Sequence, residues 1–157
     1  MADTKLHARQ AEASDLDTIL HHRREMFREM GFGQEPAFTR ADALAREFFA
    51  RALSTGHYHG WFCDDPTSGA TVAGCGIILV EYHPSPRDPQ SHRPWVVNVY
   101  TEHAWRRRGL ARQLMDIMIE WSRRQGYPNL FLHASDEGLG LYPSLGFAAT
   151  NEMRLTL

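Results

Sequence analysis

The apolar positions change period along the chain, and the changes divide it into elements. His7 to Ala11 reads as a short edge strand. Ser14 then stands as the N-cap of a helix, with Asp17 three residues on. Leu16, Ile19, Leu20, Arg23, Phe27 and Met30 follow at helical spacing until Gly31. A second helix starts at Thr39-Arg40-Ala41-Asp42, carries Leu44, Phe48, Ala52 and Leu53 on one face, and stops at Gly56. Strand chemistry takes over at His57 to Cys63. The turn cluster Asp64 to Gly69 and the apolar run Thr71 to Glu81 complete a hairpin. His83 to Pro94 is rich in proline and predicts a loop of roughly a dozen residues. Trp95 to Thr101 is a strand again. Leu110 to Gln125 is the clearest helix, with Leu110, Leu114, Met118 and Trp121 on one face and Ile117 beside them. Leu130 to Ala134 predicts a short strand, Gly138 to Leu145 a short helix, and Met153 to Leu157 a final strand. The sum is one α/β domain over residues 1–157, mostly antiparallel in its first half, with a strand–helix–strand unit near Trp95 to Ala134.

Composition narrows the classes. A chain of 157 residues with 43% apolar side chains can bury a substantial core. No apolar run approaches the roughly 20 residues of a bilayer span, and Met1 to Leu6 holds no apolar block of the secretory kind. The expected location is cytoplasmic, with no membrane partner. Cys63 and Cys75 lack metal or disulfide spacing and read as buried reduced thiols. The net charge of −2 argues against a general polyanion binder, and no nucleic-acid partner is expected. His57-x-His59 and His21-His22 have no convincing third ligand, so no metal is expected.

The charge is nevertheless unevenly placed. Lys5 is the only lysine, and Arg106, Arg107, Arg108 and Arg112 crowd the junction between a strand and the longest amphipathic helix. A helix N-terminus presents unpaired N–H groups and the positive end of a dipole, which together bind phosphate. Gly109 lets the backbone approach a ligand, and Ala111 keeps the first turn slim. The segment has the design of a pyrophosphate-binding turn without the lysine of a P-loop or the three glycines of a dinucleotide fold.

Arg106-x-x-Gly109-x-Ala111, with the strand before it and Leu141-Tyr142-Pro143-Ser144-Leu145-Gly146-Phe147 downstream, resembles the GCN5-related N-acetyltransferases. The resemblance implies a mixed, mostly antiparallel central sheet flanked by helices, with a strand that splays from its neighbour just before the pyrophosphate turn. It implies acetyl-coenzyme A as co-substrate. Arg106, Arg107, Arg108, Gly109, Leu110, Ala111 and Arg112 would surround the pyrophosphate, while the strand backbone around Val99, Tyr100 and Thr101 would pair with the pantetheine arm. Ser135 stands where relatives often carry an asparagine that touches the cofactor. Tyr142 matches the tyrosine that protonates the departing thiolate. A phenol of pKa about 10 can hydrogen-bond or give a proton to a thiolate whose conjugate acid lies near about 8.5.

The acceptor amine must lose a proton, and Glu81 at the strand end is the first candidate base, with His83 and Glu25 behind it. Phe27, Met30 and Phe32 precede a glycine-containing loop where relatives shape the acceptor pocket. Asn98, polar between valines, is placed to orient the acetyl group or the acceptor. The resulting expectation is direct acetyl transfer to a primary amine of a small or amino-acid-like molecule. A protein N-acetyltransferase, a non-catalytic acyl-CoA sensor and an arginine-based RNA binder are the alternatives. Exposed strand edges allow a homodimer.

Overall fold

A computed structural model describes residues 5–157; the first four residues of the Met1–Leu6 segment read above lie outside it. Nine elements follow in order: β1 (Ala8–Gln10), α1 (Leu16–Glu29), α2 (Ala37–Thr55), β2 (Tyr58–Asp64), β3 (Thr71–Glu81), β4 (His92–Thr101), α3 (Leu110–Arg124), β5 (Phe131–Leu132) and α4 (Leu141–Ser144). The strands form one sheet in the order β1-β2-β3-β4-β5. All neighbours are antiparallel except β4 and β5, which run parallel across the crossover through α3.

The alternation of strand side chains gives the sheet two covered faces. Trp61, Cys63, Ala73, Cys75, Ile77 and Val96 pack on Leu110, Leu114, Met115 and Met118 of α3. Tyr58 and Phe62 point the other way, onto Ile19 and Leu20 of α1 and Ala45, Phe49 and Ala52 of α2. Gly76 is required on that second face, because a Cβ there would run into the Tyr58 ring.

Several boundaries differ from the sequence expectation. Asp15, not Ser14, precedes α1. Its carboxylate accepts the Glu12 N–H at 2.8 Å and two bonds from the Arg9 guanidinium at 2.8 and 2.9 Å, and Arg9 also reaches Asp64. That arginine holds the Asp15 carboxyl below the usual carboxylate range. The helix α2 begins at Ala37, two residues ahead of the Thr39 start. Its buried face is Phe38, Ala45, Phe49 and Ala52, whereas Leu44 and Phe48 are 63% and 38% exposed. Both apolar stripes fit a helix; which one meets the sheet depends on the rotation of α2 against α1.

The strand β4 begins at His92 and includes Pro94, whereas the proline content predicts a loop through that residue. Pro94 faces Leu79, whose N–H donates instead to His57 across the other side of β3, so this is a pair without mutual hydrogen bonds. The missing proline N–H therefore points away from β3, beyond the end of the two-residue β5, and costs no ladder bond. The final strand expected at Met153 to Leu157 is absent: residues 148–157 carry no regular structure, and Met153 and Leu155 are 94% and 81% exposed. The short helix expected from Gly138 is a 3-10 turn, Asp136–Gly140, followed by one turn of α4.

His22 is the unusual residue of the core. It is 1% exposed, lies 5.0 Å from Tyr100 and 5.8 Å from Phe62 between ring centroids, and neither ring nitrogen has a hydrogen-bond partner. Glu102 approaches it no closer than 3.8 Å. Burial, helped by the neighbouring His21, pulls its pKa from 6.5 down to about 4. The folded protein thus resists a proton that the unfolded chain accepts, so stability is full above about pH 6.5 and falls as the pH drops toward 4. Urea titrations across that window should show a loss reaching about 3 kcal/mol, and His22→Gln should flatten it.

Candidate functional site

The site is set by a defect in the sheet. Gly76 pairs with Val97 and Gly74 with Tyr100, so Asn98 and Val99 together face the single residue Cys75. This is a β-bulge, and Asn98 takes the left-handed backbone it needs, with φ of 56°. On its other side β4 meets β5 only at Trp95↔Phe131 and Val96↔Leu132. Beyond Val96 the two strands part. The Glu102 N–H bonds Val72 at 2.8 Å and Tyr100 pairs with Gly74, so strand alternation turns the backbone of Val99 and Thr101 into the gap. The Thr101 carbonyl there accepts Arg106 Nε at 2.9 Å.

The gap continues into the turn that opens α3. Arg107 and Gly109 both adopt left-handed backbone, with φ of 60° and 79°. The pair of reversals curls the chain so that α3 starts at Leu110 with its first N–H groups facing the gap. Gap and turn form one cleft of about 1210 Å³ that runs on between α1 and α2. Its volume is above the roughly 300–1,000 Å³ of single-ligand pockets, which leaves room for two reactants.

Most residues singled out from sequence meet in this cleft. Val99, Tyr100, Thr101, Arg106, Arg107, Gly109, Leu110, Ala111, Arg112, Ser135 and Tyr142 line it, as do Phe27, Met30, Phe32 and Asn98. Three details differ from the expectation. One terminal nitrogen of the Arg106 guanidinium donates to both carboxylate oxygens of Glu29, at 2.6 and 2.7 Å, so the side chain ties α1 to the end of β4. Arg108 lies outside the lining, with its guanidinium 4.6 Å from the Trp105 ring and bonded to the Ala104 carbonyl. Arg107 and Arg112 are the guanidinium groups of this turn that line the cleft without a carboxylate partner; Arg112 also donates to the Ser144 hydroxyl at the C-terminal end of α4. Ser135 uses its hydroxyl to cap the following 3-10 turn, accepting from Gly138 at 3.3 Å.

Tyr142 is 9% exposed, and Gly138 makes the space for its ring, since a Cβ there would strike it. Phe147 packs edge-on at 5.9 Å. Burial raises the phenol pKa, so the hydroxyl stays protonated in the cleft wall. The three candidate bases fare differently. Glu81 is exposed at the end of β3, opposite His92; His83 is exposed in the loop; Glu25 pairs with Arg28. None of the three lines the cleft. Asn98 is buried with no partner for its amide nitrogen, against the Tyr58 hydroxyl. The cleft also takes in Glu29, Leu44, Phe48, Trp105, His133 and Glu137, which the sequence reading did not assign to it. Leu44 and Phe48 had a signal, apolar residues at i and i+4, but it reads equally as core.

Among the described residues, no helix is long and apolar enough to cross a membrane, and no group of three or more His, Cys, Asp or Glu is gathered to hold a metal. The chain belongs to the acetyltransferase (GNAT) family, whose sequence model matches residues 16–147. It is similar to a GCN5-related N-acetyltransferase from Ralstonia eutropha JMP134, at 29% identity over 98% of this chain and 99% of that one, with a TM-score of 0.88. A predicted acetyltransferase from Clostridium acetobutylicum, solved with acetyl-CoA, shares 19% identity over 98% and 96% of the two chains, with a TM-score of 0.87. Glucosamine-6-phosphate N-acetyltransferase from Arabidopsis thaliana shares 14% over 98% and 99%, with a TM-score of 0.71. No curated protein matches the sequence.

The left-handed backbone at Gly109 gives a direct test of the turn. Gly109→Glu forces a side chain into that conformation and sets a carboxylate at the helix N-terminus. Coenzyme A affinity measured by calorimetry should fall by more than about 100-fold. Unchanged affinity would remove the phosphate assignment.

Proposed function

We propose that this protein is an acetyl-CoA-dependent N-acetyltransferase that acts on the primary amine of a small molecule by direct attack. The observation that carries the reading is the continuity of the open β4 edge with the α3 turn in one cleft. An extended amide chain pairs with backbone groups at Val99 and Thr101, as peptides add to a sheet edge. The diphosphate of the same molecule then meets the N–H groups of Gly109 to Ala111, with Arg107 and Arg112 beside them. When bound, acetyl-CoA supplies an activated acetyl thioester.

The residues of the chain then divide the work. The Val99 N–H, released from the ladder by the bulge, donates to the oxygen on which negative charge develops. Tyr142, kept protonated by burial, donates its proton to the sulfur as the C–S bond breaks. The proton that the amine loses on forming the C–N bond passes to water in the open cleft and so restores the phenol. Asn98 has a buried amide donor to spend on the acetyl group or the acceptor. The wall of Phe27, Met30, Phe32, Leu44 and Phe48 holds the acceptor body away from water. No nucleophilic cysteine is needed: Cys63 and Cys75 are buried on the α3 side, and burial pushes the Cys63 thiol up to about 11. Two reduced thiols also suit a cytoplasmic location.

A thiol-release assay with acetyl-CoA and a panel of primary amines should find at least one acceptor, with a product heavier by one acetyl group. Coenzyme A binding without turnover on any amine would favour a sensor module instead. Tyr142→Phe should lower kcat by about 10²- to 10⁴-fold, with the KM for acetyl-CoA nearly unchanged. An unchanged kcat at saturating acceptor would take Tyr142 out of the mechanism.

A further inference from the structure

Helix α1 turns Arg23, Met26, Phe27 and Met30 toward the cleft, the i, i+3, i+4, i+7 spacing of one face. Three of the four are apolar, and the fourth is a guanidinium. It is half-buried, and its guanidinium carbon lies 4.6 Å from the centroid of the Phe27 ring, within cation–π range. The other two arginines of α1 have carboxylate partners: Arg24 with Glu35 and with Asp42 at 3.0 Å, and Arg28 with Glu25. Arg106 has Glu29. Among the described residues, Arg23 has neither a salt bridge nor a hydrogen bond. Burial draws its pKa below the ordinary guanidinium value, and the nearest opposing influence, Asp42, is committed to Arg24.

A partly desolvated cation without an anionic partner is less favourable in the unliganded protein than one paired with a carboxylate. A guanidinium in that state is a strong ready-made receptor for a planar or tetrahedral oxyanion, because its fork of donors needs no carboxylate to be displaced first. The position matters as much as the charge. Arg23 lies six residues before Glu29, hence about 9 Å along α1 from the residue that ties the helix to the end of β4. It therefore stands on the α1–α2 half of the cleft, away from the phosphate turn and its arginines, where Phe27 and, on α2, Phe48 also line the cleft.

We infer that Arg23 is an anion subsite for the acceptor, and that the acceptor is a small amine carrying a carboxylate or a phosphate, with any apolar part lying along Phe27 and Phe48. This deepens the acetyltransferase reading and rests on it. The oxyanion anchors the far end of the acceptor and so presents its amine toward the bulge at Asn98 and Val99.

The test pairs acceptors that differ only in the anion: amino acids with their carboxamides, and phosphorylated amino alcohols with the parent alcohols. For the best pair the wild-type protein should prefer the anionic member by about 10- to 100-fold in kcat/KM. Whether the carboxylate or the phosphate set shows the larger ratio identifies the anion. Arg23→Met, which continues the Met26 and Met30 stripe and should melt at the wild-type temperature, should bring the ratio near unity without changing the KM for acetyl-CoA. Arg23→Lys should keep part of the preference. A neutral best acceptor, or a ratio that survives in Arg23→Met, overturns the subsite. Should no amine release thiol while coenzyme A still binds, the transferase reading fails on its own. The subsite is then decided by calorimetry of N-acetylated amino acids and N-acetylated phosphorylated amino alcohols on coenzyme A-loaded protein. Weaker binding to Arg23→Met than to wild type supports it, and equal binding to both proteins or no binding to wild type overturns it.

Discussion

Between Val97 and Thr101, β4 has a sheet neighbour on one side only, although it lies between two strands. Backbone N–H and C=O groups inside a protein are almost always paired, and leaving a run of them open is costly. Two features make the opening tolerable. The bulge at Asn98 and Val99 changes the pitch of β4, so the strand leaves β5 after two paired residues and does not force the ladder apart along its length. The open groups face a cleft that water or a ligand fills, and Arg106 takes the Thr101 carbonyl at the far end. Everything chemical follows from that open edge. It supplies the donors, it creates the gap, and it aims the chain at the turn of α3.

The arginines near the opening illustrate how little a count of charges says about a site. Four of them crowd one heptapeptide, and only Arg107 and Arg112 keep their guanidinium groups in the cleft without a carboxylate. Arg106, with Glu29 and Thr101, fastens the C-terminal end of α1 to the end of β4, and the Glu29 carboxylate raises its pKa further. Arg108 lies on Trp105. What distinguishes the turn is therefore less its charge than the left-handed conformations of Arg107 and Gly109, which curl the backbone ahead of α3.

Local signals carried much of the fold. The limits of β3 and the stop of α2 at Gly56 were legible because a turn cluster and a left-handed glycine mark them in the sequence. The turn that opens α3 was legible for the same reason, with the left-handed Gly109 at its end. What could not be read were choices that depend on partners distant in sequence. The two apolar stripes of α2 are equivalent until α1 and the sheet select one, which left Leu44 and Phe48 in the cleft. Pro94 breaks a strand only when its N–H side must pair, and β5 is too short to ask it to. The alternation of Met153, Leu155 and Leu157 is strand-like, yet a two-residue edge offers no ladder to join. The same reasoning explains Glu81: it sits at a strand end, as expected, but the cleft opens on the other side of β4.

The Glu29–Arg106 pair also joins the two halves of the cleft mechanically. Glu29 ends the helix whose face carries Arg23, Met26 and Phe27, and Arg106 precedes the turn whose amides face the gap. One ion pair, 30% and 33% exposed at its two side chains, therefore sets the spacing between the α1 face of the cleft and the turn that opens α3. For a reaction that depends on bringing an amine against a carbonyl, that spacing matters more than the net stability of the pair, because small misplacements cost rate steeply. A surface ion pair of this exposure contributes little to folding. Its location at the junction of α1 with β4 gives it a positioning role that its stability alone would not suggest.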